Sequence, residues 1–167
     1  MSTAPLFVHL RVHSAYSLAE GTFQIGALVS AVKAMGQPAV AITDSFNTFA
    51  ALEFSDKANG AGIQPIIGAQ VILSDDDNAT SGEVVLLVQN ETGWLNLSQL
   101  ISDALLADSD LPSNAMAQLA DYHEGLILLS GGATKGFVGG AAADVQSALA
   151  ESRLTLLTTM MPGRVYV

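Results

Sequence analysis

Two rhythms of apolar and polar positions alternate along the chain. In Phe7–His13 the polar residues His9, Arg11 and His13 fall at every second position, with Val8, Leu10 and Val12 between them. Side chains at i, i+2 and i+4 of a strand share a face. Residues 6–13 therefore predict a first strand with one apolar face and one face carrying two imidazoles around a guanidinium. Ser17–Gly21 reads as a turn, and the rhythm then lengthens. Ile25, Leu28, Val29, Val32 and Met35 recur at helical spacing within Gln24–Met35, and Gly36 suits the helix end. Pro38–Thr43 is a short apolar run of the kind a buried parallel strand shows, with Asp44 at its C-terminal end. A second helix is predicted over Asn47–Asn59, with Phe49, Leu52 and Phe54 among its apolar residues and Gly60 and Gly62 closing it.

The alternation continues. Ile63–Leu73 predicts strand three, interrupted by Gly68, and Asp75–Gly82 an acidic, small-residue loop. Glu83–Gln89 predicts strand four and Glu91–Leu106 a helix with Trp94, Leu97, Leu100 and Ile101 on one side. Leu111–Tyr122 suggests a short helix entered through Pro112 and Ser113, and Gly125–Ser130 strand five. A glycine-rich piece, Gly131–Gly140, leads into a helix over Ala141–Thr159, and Gly163–Val167 opens strand six. Strands alternating with helices of this length predict an α/β domain of parallel strands joined by helical crossovers. No internal repeat or long linker interrupts it. A chain that stops inside a strand signal is expected to be the N-terminal portion of a larger domain.

Composition narrows the chemistry. Half of the residues are apolar and 13% are charged, which suits a folded domain and not a disordered chain. The net charge is −10, and the six cations Arg11, Lys33, Lys57, Lys135, Arg153 and Arg164 are scattered. Phosphate neutralisation needs clustered cations, so this segment is a poor candidate for gripping nucleic acid. The absence of cysteine excludes disulfides, thiolate metal sites and cysteine nucleophiles. No signal peptide and no apolar run of about 18 residues is visible, so a soluble cytoplasmic protein is expected and no membrane partner.

Candidate chemistry lies in few places. Two histidines on one strand face can chelate a metal, but the permanently cationic Arg11 between them repels one; the competing reading of His9 and His13 is ordinary polar residues at a barrel mouth. Asp44 is placed either for a site at a strand end or for capping the next helix, a role open also to Ser45 and Asn47. Glu53 reads as a solvated helix face. Gln70 and Glu83 lie on or beside strands three and four, pointing into a cavity or outward, and His123 reads as an exposed loop residue. Ser130-Gly-Gly-Ala-Thr-Lys-Gly136 lacks the spacing of a phosphate-binding loop and reads as a turn. Ser14, Ser17 and Ser130 have no nucleophile-elbow context.

Five stretches carry a resemblance. FVHLRVHSAYSLAEG, PAVAITDSFNTFAALEF, AGIQPIIGAQV, VVLLVQNETGWLNLSQLIS and YHEGLILLSGG occur in the order and spacing of the N-terminal PHP (polymerase and histidinol phosphatase) domains of bacterial DNA polymerase III alpha subunits. The resemblance runs from about Pro5 to Val167. It implies part of a distorted (β/α)7 TIM-like barrel, incomplete at its C-terminus, with the rest of the PHP domain and the palm, thumb and fingers absent. Competent members of the family carry a trinuclear metal centre at the strand ends.

Transferred position by position, the family's His-x-His pair falls on Arg11 and His13, and its Thr-Asp-His-Gly-Asn on Thr43, Asp44, Ser45, Phe46 and Asn47. Its glutamate falls on Gln70, its histidine before strand four on Glu83, and its cysteine after strand five on Gly132. His13 and Asp44 thus remain of the visible set, while Arg11, Ser45, Gln70 and Glu83 are substitutions. The resemblance then implies a degenerate site without metal or catalytic residues in this segment, with Arg11 replacing the metal charge by pairing with Asp44 and Glu83. The segment would support the rest of a replicative DNA polymerase alpha chain, which uses Mg in its palm and meets DNA there, and would dock the proofreading exonuclease (epsilon) subunit. The competing reading is a phosphoesterase or 3′–5′ exonuclease that uses Zn or Mn at His13 and Asp44.

Overall fold

The computed structural model describes residues 7–75, 80–107 and 112–167. The elements in chain order are α1 (Ile25–Ala34), β1 (Ala39–Ser45), α2 (Ala51–Ala61), β2 (Gln64–Ser74), β3 (Ser81–Val88), α3 (Glu91–Leu106), β4 (Asn114–Ala115), α4 (Met116–Tyr122), β5 (Leu126–Leu129), α5 (Gly139–Ala143), α6 (Ser147–Met160) and β6 (Val165–Tyr166). Six strands hydrogen-bond in the order β1-β2-β3-β5-β6, with β4 beside β2. The chain divides into two compact units, Met1–Ala69 and Gln70–Val167.

In the first unit α1 and α2 close over β1. Ile25, Leu28, Val29 and Val32 of α1 meet Val40 and Ile42 of β1 and Phe54 and Ala58 of α2 in one apolar cluster. The helical stripe read from α1 holds except at its end, where Met35 is 56% exposed because the helix has already stopped at Ala34. Helix α2 begins four residues later than expected. A turn closed by Ala51 N–H on Thr48 O precedes it, and Phe49 and Leu52 face solvent while Phe54 alone of the three is buried.

The expected first strand is reduced to a parallel bridge, His9 with Val40. The carbonyls of His9 and Val12 accept from Ala41 and Thr43 N–H at 2.8 Å each. Three residues advance here against two on β1, as at a bulge, and the strict two-residue period of His9, Arg11 and His13 is broken. Leu10 and Arg11 are exposed, and His9 packs edge-on against Phe7 at 4.7 Å.

In the second unit β3 and β5 pair antiparallel, Val85 opposite Leu129 and Val88 opposite Leu126. The all-parallel expectation fails at this pair. The β5–β6 pair is parallel, as is β2 with β4. Helix α3 packs on β3 and β5, and its motif Asn-Glu-Thr-Gly-Trp-Leu-Asn-Leu is architectural. Asn90 Oδ1 accepts from Gly93 N–H at 3.0 Å, capping the helix, and Asn96 Nδ2 donates to Glu124 O at 2.9 Å. Leu97 is buried, whereas Trp94, expected beside it, is 37% exposed.

Three further expectations are corrected. The helix expected over Leu111–Tyr122 starts at Met116 after the short β4, whose Asn114 Nδ2 donates to Leu100 O at 2.8 Å; Leu111 lies outside the described residues. The long C-terminal helix is two, α5 and α6, parted where Val145 takes φ 61°. His123 is half-buried: its Nδ1 lies 3.0 Å from Arg164 Nη2, and Arg164 Nη1 donates to His123 O and Leu126 O. Of the expected acidic loop, residues 76–79 lie outside the described residues, and β3 already starts at Ser81.

The glycine-rich piece is a turn laid directly on β3. Glu83 N–H donates to Lys135 O at 2.8 Å and Phe137 N–H to Glu83 O at 3.0 Å. A Cβ on Gly82 would stand 2.5 Å from Phe137 Cα. Gly131 combines φ +88° with 2.2 Å between a notional Cβ and Glu83 O, so only glycine fits there.

Arg153, read from sequence only as one scattered cation, fastens this turn. It is 4% exposed on α6. Its Nη2 and Nε reach Asp75 Oδ2 and Oδ1 at 2.6 and 3.3 Å, its Nη1 donates to Phe137 O at 2.6 Å, and Nη2 also meets Thr80 Oγ1. The guanidinium stacks 4.0 Å over the Phe137 ring. Burial pushes the Asp75 carboxyl up, but the hydrogen bonds from Arg153 and Thr80 and the Arg153 charge outweigh it and hold that carboxyl below its usual range.

Candidate functional site

The candidate site in the first unit is built on the end of β1 and the turn after the N-terminal extended run. Asp44 is a buried strand residue and not a helix cap: the residue preceding α2 is Ala50, which makes no side-chain cap. Its Oδ1 accepts from Ser14 N–H at 2.7 Å and Ser17 Oγ at 2.6 Å, and its Oδ2 from Ser14 Oγ at 2.7 Å. The serine oxygens pass the connection on. Ser14 Oγ accepts from Tyr16 N–H and Ser17 Oγ from Ser45 N–H, both at 3.1 Å. Hydrogen bonds to a carboxylate contribute about 1.5–3 kcal/mol each, so Asp44 ties residues 14–17 to β1. Ser14 and Ser17 are thus hydrogen-bond partners of Asp44.

His13 belongs to a second small group. Its Nδ1 lies 3.3 Å from Glu20 Oε2, which also accepts from Ser45 Oγ at 2.5 Å. His13 Nε2 is buried and has no hydrogen-bond partner among the described residues. A depression of about 430 Å³ adjoins, lined by Arg11, Val12, His13, Glu20, Gly21, Thr22 and Phe23. Asn47 braces the rim through Tyr16 O at 3.2 Å and Ser45 O at 3.0 Å. Phe46 and Ala19 take positive φ, 48° and 65°, beside these groups, conformations non-glycine residues hold only where surroundings impose them.

The other candidates lie in the second unit. Gln70 is buried on β2, Glu83 is half-buried on β3, and Gly132 O accepts Gly136 N–H at 2.8 Å within the glycine turn. Glu53 remains on the exposed face of α2, paired with Lys57 at 2.7 Å. Ser14, Ser17 and Glu20 were not anticipated as partners. Their one signal is three oxygen-bearing residues spaced three apart straight after the histidine row.

A divalent centre needs several anionic or imidazole donors with lone pairs to spare. Here the lone pairs of Asp44 already take three donors, and among the described residues no three His, Cys, Asp or Glu side chains converge. The described donor set does not fit a multinuclear metal centre.

The sheet and its flanking helices define an α/β fold. It superposes with a TM-score of 0.62 and 12% identity on a Bifidobacterium adolescentis protein assigned provisionally as a metal-dependent phosphoesterase, over 94% of this chain and 85% of that one. Residues 9–167 match the PHP domain, and the chain belongs to that family, with its distorted TIM-like architecture. Among curated relatives, DNA polymerase III subunit alpha of Caulobacter vibrioides is 45% identical over 161 residues, 87% of this chain. The Escherichia coli K12 protein of the same name is 38% identical over 168 residues, 98% of this chain. The chain spans 14% of the length of each of these relatives.

Proposed function

We propose that this chain is the PHP segment of a bacterial DNA polymerase III alpha subunit and serves as a non-catalytic scaffold. In that reading it supports a cytoplasmic DNA-directed DNA polymerase in replication, docks the proofreading exonuclease subunit, and leaves DNA and Mg to the palm. The observation that carries it is the Asp44 carboxylate, bonded by Ser14 and Ser17 where a ligand would need free lone pairs. The proposed electrostatic role of Arg11 is to supply cationic charge at a former ligand position.

One observation favours a second reading, a Zn- or Mn-dependent phosphoesterase or 3′–5′ exonuclease. His13 presents Nε2 without a partner among the described residues while Glu20 faces Nδ1, as carboxylates do behind metal-bound imidazoles. Elemental analysis of the purified chain, with phosphoester and single-strand exonuclease assays in added Mn or Zn, separates the two. The scaffold reading expects substoichiometric metal and no turnover above background. Stoichiometric metal with turnover that His13→Ala abolishes overturns it.

A further inference from the structure

The joint between α5 and α6 is closed in a way its own residues oppose. Gln146 N–H donates to Ala141 O at 2.9 Å and Val145 N–H to Ala142 O at 3.2 Å. This pair of bonds closes a helix end whose next residue turns left-handed, a position that suits glycine. Here that residue is Val145, at φ 61° and 90% exposed. A β-branched residue takes this conformation against its own sterics, and no burial of its side chain offsets the strain.

Two neighbours add to the mismatch. Asp144 is the C-terminal cap of α5, where the helix dipole disfavours a carboxylate. Helix α6 follows Gln146, which gives it no side-chain cap, and its first turn holds no acidic residue.

One rearrangement removes all three defects. If α6 extends back by two residues, Val145 becomes its first helical residue at an ordinary negative φ. Asp144 then becomes its N-cap, a position aspartate favours for its side-chain oxygen and its charge. The sequence itself reads as one helix across the joint, over Ala141–Thr159. The observed break is held by the two closing bonds, by Asp144 N–H on Gly140 O at 3.0 Å, and by the burial of Ala141. On the inner side a cavity of about 260 Å³, lined in part by Lys135, Asp144, Gln146, Leu149 and Arg153, leaves the joint room to rearrange. Further along, Arg153 keeps α6 in place through Asp75 and Phe137 O, so the change is confined to the joint.

We propose that residues 141–146 are a two-state element: the observed break, and a state in which α6 begins at Val145 under an Asp144 cap while α5 unwinds and opens the cavity beside the glycine turn.

Amide hydrogen exchange on the full chain under native conditions reads the two states separately. In the break the first helical bond of α6 is Ala150 N–H to Gln146 O. Ala148 and Leu149 N–H gain the helical acceptors Asp144 O and Val145 O in the extended state, whereas the bonds of Asp144 and Gln146 N–H belong to the break. Val145→Gly removes the strain and is expected to slow exchange at Asp144 and Gln146 about tenfold while speeding it at Ala148 and Leu149. Asp144→Ala removes the cap of one state and the misplaced charge of the other, and should move both pairs in the same directions. Val145→Pro cannot take φ 61° but suits the first position of a helix, and is expected to do the reverse. Opposite movement of the two pairs is the signature, since relief of strain in a single state would not speed exchange at Ala148 and Leu149. Unchanged or slowed exchange at those two residues in the glycine and alanine variants overturns the proposal, and these variants decide it alone if the proline variant does not fold.

Discussion

Arg153 shows how much one residue can hold. Its four hydrogen bonds tie α6 to two other stretches: Asp75 and Thr80 beyond β2, and Phe137 in the glycine turn. Arg153→Leu strands Asp75 and Phe137 O and is expected to cost about 3 kcal/mol, measured by urea denaturation, with Arg153→Lys recovering only part because it lacks the planar fork. The pH dependence has a definite sign. The folded Asp75 carboxyl is held below its unfolded value, so its contribution is complete above about pH 4 and is lost as pH falls through the folded value. Neither residue was legible in the sequence. Asp75 opens a run of acids that reads as a solvated loop, and a lone arginine in a helix of weak periodicity reads as surface. Asp44 was legible as a residue at a strand end, but its serine partners were not, because their spacing carries no distinctive pattern.

At the scale of elements, apolar periodicity placed α1, β1, β2, β3, α3 and β5 to within a few residues, since each buries a continuous stripe or run. It failed where backbone geometry decides. The N-terminal run bulges against β1, α2 starts after a turn, and Val145 divides the C-terminal helix. Strand direction depends on how the chain returns to the sheet, a global property that no local window contains. The contact of the glycine turn with β3 is testable. Gly82→Ala places its Cβ 2.5 Å from Phe137 Cα, and backbone cannot yield as a side-chain tip does. It is expected to destabilise by about 2 kcal/mol in urea denaturation, whereas Gly60→Ala, with no atom within 4 Å, should be neutral or slightly stabilising.

For the whole molecule the charge of −10 outweighs any local detail. The chain is expected not to shift duplex or single-stranded DNA in gel mobility at about 0.15 M salt, where surface attraction is already screened. A clear shift would show that cations such as Lys135 and Arg164 act together in a way the linear sequence hides. No helix among the described residues is long and apolar enough to cross a membrane. The glycine turn has a further consequence for anyone aligning relatives. Gly82, Gly131, Gly136 and Gly139 each leave a Cβ less than 3.0 Å from main-chain atoms, so natural selection must keep them for want of room alone. Relatives that keep this turn would keep the cluster too, and it would invite a search for a bound phosphate. Its invariance would record a steric lock, and a column of unchanging glycines here says nothing about chemistry.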